Sequence, residues 1–161
     1  MIVVSDTSPI ANLLLVNKIE LLEQLFEKVI IPHKFFSEII ALEQFNIDLT
    51  HFKSYKWIEV NSIHNQLLFD SLSEQLDEGE AEAIVLAKEL HTQFLLIDEM
   101  KGRTIAEQLG IKTVGLLGVL IQAKEKGLIQ NVKPLLDDLL NKARFWISKD
   151  LYRDVLKTVK E

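Results

Sequence analysis

Four acidic residues stand at positions where side chains of this type can do chemistry: Asp6, Glu38, Glu82 and Asp98. Asp6 follows the apolar run Ile2-Val3-Val4, and Asp98 follows Phe94-Leu95-Leu96-Ile97. Both runs are too short for helices, and the first is β-branched, so they read as buried strands. Ligands of an open α/β sheet bind beyond the carboxyl ends of its strands, which places both aspartates at one edge. Glu38 falls in a helix opened by Pro32, among Phe35, Phe36, Ile39 and Ile40. Those flanking pairs leave its face open between the interior and solvent. Glu82 lies near the start of a helix over 79–90. The preceding Asp77-x-x-Glu80 forms a capping box, which accounts for that pair and leaves Glu82 over. Plainer roles exist for the rest: Asp6-Thr7-Ser8 and Asp98 can cap the helices that follow them, and Glu38 can be a solvated residue.

Four carboxylates brought together repel one another, and their pKa values rise unless cations neutralise them. An all-oxygen donor set, with no cysteine in the chain and no histidine cluster, selects the hard cations Mg²⁺ or Mn²⁺. Two such ions about 4 Å apart activate a water and stabilise the leaving oxygen of a phosphodiester. Other site chemistries fail on inspection. The chain has no G-x-x-x-x-G-K-[ST], no G-x-G-x-x-G and no G-x-S-x-G. His33, His51, His64 and His91 are scattered and form no H-E-x-x-H pair. Phe52, Tyr55 and Trp57 beside Lys53 and Lys56 admit base stacking, or simply a hydrophobic cluster. Trp146 reads as core or as packing against a partner.

The elements that must position these acids alternate along the chain. Strands are expected at 2–4, 29–31, 94–97 and 111–114, with 57–60 either a fifth strand or an extended linker. Helices are expected over 10–16, with Pro9 in the first turn and Ser8 as cap, and over 18–27. Further helices are expected after Pro32 and over 79–90, 101–109 (closed by Gly110), 115–126, 134–141 and 149–159. Strands alternating with helices imply one α/β domain over 1–161, a central parallel sheet flanked by helices on both faces.

Composition narrows the class. With 48% apolar and 26% charged residues, the 161-residue chain matches an ordinary globular domain, so extended disorder is not expected. The absence of cysteine excludes a disulfide scaffold, a zinc ribbon and a thiol nucleophile. The first residues lack a basic segment and a long apolar run, and no stretch reaches the length of a membrane span, so a cytoplasmic protein is expected. Net charge is −6, which argues against a polyanionic partner, yet its distribution is uneven. Residues 1–80 hold 5 basic against 13 acidic residues, and residues 81–161 hold 13 against 11.

Several segments together resemble the PIN domain. They are Val3-Val4-Ser5-Asp6-Thr7-Ser8-Pro9-Ile10, Ile30-Ile31-Pro32 with Glu38-Ile39, Gly79-Glu80-Ala81-Glu82-Ala83-Ile84, and Leu95-Leu96-Ile97-Asp98-Glu99 with Gly102-Arg103. Gly115 to Leu120 and Phe145-Trp146-Ile147-Ser148 fit the same branch, a prokaryotic one related to the VapC toxins of toxin–antitoxin pairs. The resemblance spans residues 2 to 156. It implies a three-layer PIN-like fold and a metal-dependent ribonuclease that uses Mg²⁺ or Mn²⁺, two ions in all. By resemblance, Asp6, Glu38, Glu82 and Asp98 hold the metals. Thr7 or Ser8 hydrogen-bonds the carboxylates or the metal-bound water, and Lys101 and Arg103 reach a phosphate.

Partners implied by the resemblance are RNA, a small antitoxin protein and a second copy of the chain, with Phe35-Phe36 and Leu13-Leu14-Leu15 as apolar stretches for a homodimer. The sequence departs from the typical toxin in having Glu82 where aspartate is usual and Glu99 directly after Asp98. It also carries a helical C-terminal extension at about 130–161. A different class remains open: a catalytically weak PIN-like module that binds RNA or protein, indifferent to EDTA. A structure-specific DNA nuclease is a third reading, for which 161 residues leave little room.

Overall fold

Alternation along the strands decides the architecture. In β1 (Ile2–Ser5), Val3 packs into one apolar cluster and Val4 into another on the opposite face. β2 (Lys28–Pro32) repeats this, with Val29 and Ile31 on the first side and Ile30 on the second. In β4 (Phe94–Leu96), Leu95 faces the second cluster and Leu96 the first. A sheet that is apolar on both faces needs cover on both, the usual condition of a parallel sheet. The computed structural model describes residues 1–45, 49–143 and 145–161. Within them the five strands pair entirely in parallel, in the order β3-β2-β1-β4-β5, with β3 at Ile58–Asn61 and β5 at Thr113–Val114.

The first face is covered by α1 (Thr7–Leu15), α2 (Glu20–Leu25), α3 (Lys34–Ile40) and the short α4 (Thr50–Ser54). The later helices α8 (Leu116–Glu125), α9 (Lys133–Lys142) and α10 (Lys149–Thr158) complete it. The second face is covered by α5 (Gln66–Ser73), α6 (Glu78–Leu90) and α7 (Met100–Gln108). The result is the three-layer α/β arrangement expected of a PIN-like domain. The C-terminal helices are built into the core rather than appended, since Leu135, Leu136, Leu139 and Val155 are buried in the first cluster.

Several local expectations are refined. The stretch after Trp57 is a strand, with Ile58 paired to Val29. α1 starts at Thr7, so Asp6 and not Ser8 stands at the cap position, and Asp6 makes no side-chain cap bond. Helices α4 and α5 were not expected; Asn65 caps α5 by accepting from the Leu68 N–H at 3.1 Å. Phe35, Phe52, Tyr55 and Trp57 form a chain of ring contacts, with successive centroids 5.7, 6.2 and 5.2 Å apart. The aromatic group around Trp57 is therefore core and not a stacking platform. Leu13 and Phe35 are also core, while the side chains of Phe36 and Ile40 lie outside those described. Among the described residues no helix is long and apolar enough to cross a membrane.

Candidate metal centre

β1 and β4 are neighbours at the middle of the sheet, and the strand order reverses between them. The chain leaves the two strands in opposite directions, which opens a crevice at their carboxyl ends. Asp6 ends β1 there, and its N–H donates to the Leu96 carbonyl at 2.9 Å, extending the ladder to the acid itself. Asp98 follows β4 two residues beyond the last ladder position.

Asp6 is only 6% exposed. Burial pushes its carboxyl up to about 7, with Asp77, Glu80 and Glu38 adding repulsion and a backbone hydrogen bond at Thr7 opposing the rise. Glu38, on α3, accepts a short hydrogen bond from the Thr7 hydroxyl. Its carboxyl is raised chiefly by burial and further by Asp77 and Glu82, with Thr7 and Lys34 opposing. Thr7 thus fixes Glu38 beside Asp6 from the neighbouring residue of the same turn.

Helix α6 brings in the next acids. Its capping box is formed: the Glu80 N–H donates to Asp77 Oδ1 at 2.7 Å, and the Asp77 N–H donates to Glu80 Oε2 at 3.3 Å. A capping glutamate on a surface helix would be exposed, yet Glu80 is only 6% exposed. Burial raises its carboxyl, with repulsion from Asp77, Glu99 and Glu38. Its Oε1 lies toward Gly102, where an added Cβ would come within 3.7 Å. Glu82 is carried on the other side of the helix. It is half-buried, accepts from the Lys34 N–H at 3.2 Å, and stands near enough to Glu38 to raise it.

The four acids singled out in the sequence are thus placed unevenly. Asp6 and Glu38 share one enclosed site, Glu82 lies at its rim, and Asp98 lies on the β4 side. Glu80, for which the capping box alone supplies a role in the sequence, occupies the floor beside Asp6. What marks it is the packing of its helix: of residues 79–87 only Glu82 escapes full burial. A helix buried nearly all round encloses any acid it carries.

Asp98 is held by the Leu116 N–H, which donates to Oδ1 at 2.7 Å at the start of α8. Its Oδ2 is buried and has no hydrogen-bond partner among the described residues. Burial raises this carboxyl and Glu99 adds repulsion, while the Leu116 bond and the Arg103 guanidinium oppose. Gly115 makes room for both groups: an added Cβ would lie 3.1 Å from Arg103 Nη1 and from Asp98 Oδ1. Arg103 is steadied by its Nε, 3.4 Å from Thr113 Oγ1. Ser8 lines the cleft beside Asp98, and Lys101 is exposed.

Among the described residues no three His, Asp or Glu side chains close on a single point as metal ligands. Glu38 is turned to Thr7 and Glu80 to Asp77 instead. The chemistry of the donor set nevertheless fits a hard divalent cation. It offers buried carboxylate oxygens, an acceptor on Asp98 with nothing to accept from, and mutual repulsion that a cation would relieve.

Gly79 lets the start of α6 approach this site. A Cβ there would meet Glu38 Oε1 at 2.5 Å. Because that atom ends a flexible side chain, Gly79→Ala is predicted to change stability by less than about 1 kcal/mol in urea unfolding. By displacing Glu38 it should still lower, at least about tenfold, any turnover that depends on a metal held at this site. Unchanged turnover in a folded variant would show that the position of Glu38 does not matter.

The chain matches, over residues 2–161, the family model described as DUF3368, PIN domain. It belongs to the PIN-domain family, which generally comprises metal-dependent nucleases. Among solved structures it is similar to a PilT N-terminus domain protein from Sulfolobus solfataricus P2, at 17% identity and a TM-score of 0.45. That alignment covers 91% of this chain and 100% of the other. No curated protein matches it significantly.

Proposed function

We propose that the protein is a Mg²⁺- or Mn²⁺-dependent endoribonuclease whose centre lies between the carboxyl ends of β1 and β4. The observation that carries this reading is Asp6. A carboxylate buried among Glu38, Glu80 and Asp77 destabilises the metal-free fold near neutral pH, so a binding role explains its presence better than a structural one. Asp6, Glu38 and Asp98 would hold the metal, with Glu80 from the floor and Glu82 from the rim as further donors, to one ion or two. A divalent cation held there polarises the phosphodiester and makes a water reactive at neutral pH.

The remaining roles belong to the chain's own groups. Thr7 orients Glu38, and the Leu116 N–H fixes one oxygen of Asp98 so that the other is free to act. Arg103, with the exposed Lys101 nearby in sequence, offsets negative charge on the phosphate. In this reading the protein works in the cytoplasm as the toxin of a toxin–antitoxin pair. A small antitoxin would place a basic residue against the acids, and a homodimer would present two such centres. The second reading, an inactive module that binds RNA or protein, draws on Glu38 and Glu80 being turned to Thr7 and Asp77.

Total-RNA digestion with Mn²⁺, with and without EDTA, separates the two readings. EDTA-sensitive cleavage by wild type supports the enzyme, and EDTA-indifferent binding without cleavage supports the module. Paired variants then locate the donors. Glu80→Gln is expected to lower turnover about 100-fold or more, and Glu82→Gln, whose acid sits at the rim, about tenfold. The reverse order would move the centre to the Glu82 side of α6.

A further inference from the structure

Beside Asp98 the surface opens into a cleft of about 710 Å³ that runs from the strand-edge acids toward the segment between α9 and α10. Trp146 lines it and is 82% exposed; Met100, also lining it, is 73% exposed. The sequence suggests a core or partner-packed tryptophan, yet the indole stands in water beside the candidate centre, where it is available to a ligand. The floor is polar. Asn12 is buried, and the hydrogen bond of its carboxamide among the described residues is a long one, Nδ2 to Ser8 Oγ at 3.5 Å. Gln122 lines the same space. Arg103 joins the two regions: it lies beside Asp98 and lines the cleft.

We infer that this cleft is a nucleobase subsite for single-stranded RNA, in which a base next to the scissile phosphate stacks on Trp146. Arg103 contacts the backbone, and Asn12 and Gln122 meet the base edge. The inference rests on the ribonuclease reading and names the substrate form that its centre takes. Base and cleft match in two respects. An indole face stacks on any base, and a carboxamide offers both a donor and an acceptor to a base edge. An apolar helix of a partner protein would instead leave Asn12 and Gln122 buried without partners. Net charge matters as well: at −6 the protein does not draw in a polyanion by its overall field. Stacking supplies attraction that does not depend on salt, so affinity should fall only shallowly with ionic strength. With one or two phosphates neutralised, the slope of log K against log salt is about −1.

The test uses the whole protein in EDTA, so that nothing is cut, titrated with short oligoadenylate and oligouridylate. Trp57 is buried, so quenching of tryptophan emission reports on Trp146. Saturable quenching is expected with both single strands and not with duplex RNA of the same length. Labelled oligonucleotide anisotropy should give about tenfold weaker binding for Trp146→Ala and partial recovery for Trp146→Phe, with Mn²⁺ affinity unchanged. Unquenched emission, or equal binding by Trp146→Ala, would overturn the inference. So would light scattering that shows a dimer dispersed by Trp146→Ala, because the indole would then be covered by a second copy. Cleavage by wild type with Trp146 unquenched removes this inference alone. Quenching without any Mn²⁺-dependent cleavage upholds the subsite and removes the ribonuclease reading.

Discussion

Asp6→Asn is expected to abolish RNA cleavage, by a factor of about 1,000 or more, and at the same time to stabilise the metal-free protein. The two effects share one cause. The carboxylate is 6% exposed among Glu38, Glu80 and Asp77, so its charge is costly unless a cation sits against it. The amide has nearly the same volume, keeps the β1 backbone bond to Leu96, and carries no charge. At pH 8, above the raised pKa of Asp6, the gain should be about 2 kcal/mol or more in urea unfolding. At pH 5 wild-type Asp6 is already protonated in the fold while the unfolded chain is still ionised, so the gain should be smaller than at pH 8, and it should vanish below about pH 4. A purely structural aspartate behaves in the opposite way, since its loss destabilises. Activity and stability moving in opposite directions is therefore the signature of a binding site built at the expense of the fold. Residual full activity, or destabilisation at pH 8, would remove Asp6 from the centre.

The second large effect is on pH dependence. Asp6 titrates near 7 in the folded metal-free protein against an ordinary value of 3.8. The folded state therefore holds a proton that the unfolded chain has lost between these two values. Stability from this group is fully present below about pH 4 and is lost as pH rises to about 7. For a shift of about 3 units the loss approaches 4 kcal/mol. Glu38, Glu80 and Asp98 are raised as well and act with the same sign. Surface acids act in the other direction. Glu27, Glu89, Asp137 and Glu161 are lowered by their partners, so their contribution is lost only in acid, below the ordinary carboxylate range. The window from pH 5 to 8 therefore isolates the candidate centre. The metal-free protein should melt lower at pH 8 than at pH 5.5, and saturating Mn²⁺ should remove that difference by binding the ionised form. A metal-free protein that is more stable at pH 8 would contradict the placement of these acids.

Much of this site can be read from the chain because strand edges are simple. A β-branched run that stops at an acid places that acid at the sheet edge, which locates Asp6 and Asp98 without side-chain detail. The alternation of strands and helices likewise implies the layered parallel sheet. Glu80 is not legible in that way, because a capping box already explains a glutamate at that spacing. Only the burial of α6 on almost every side reveals a second role, and burial is a tertiary fact. Helix α5 is hard to read because Leu67, although apolar, is exposed and blurs the helical period, even though Asn65 marks its start. Trp146 misleads for a related reason. Tryptophan suggests a core, and the exceptions lie where a ligand takes the place of the core.

The central claim is that Asp6 and its neighbours bind a divalent cation, and Mn²⁺ calorimetry at pH 7.5 on wild type and Asp6→Asn tests it most directly. The account predicts saturable binding by wild type, with proton release that grows as the pH is lowered through about 7, because Asp6 must ionise to bind, and no binding by Asp6→Asn. Equal titrations for the two proteins, whether both bind or neither does, would contradict it.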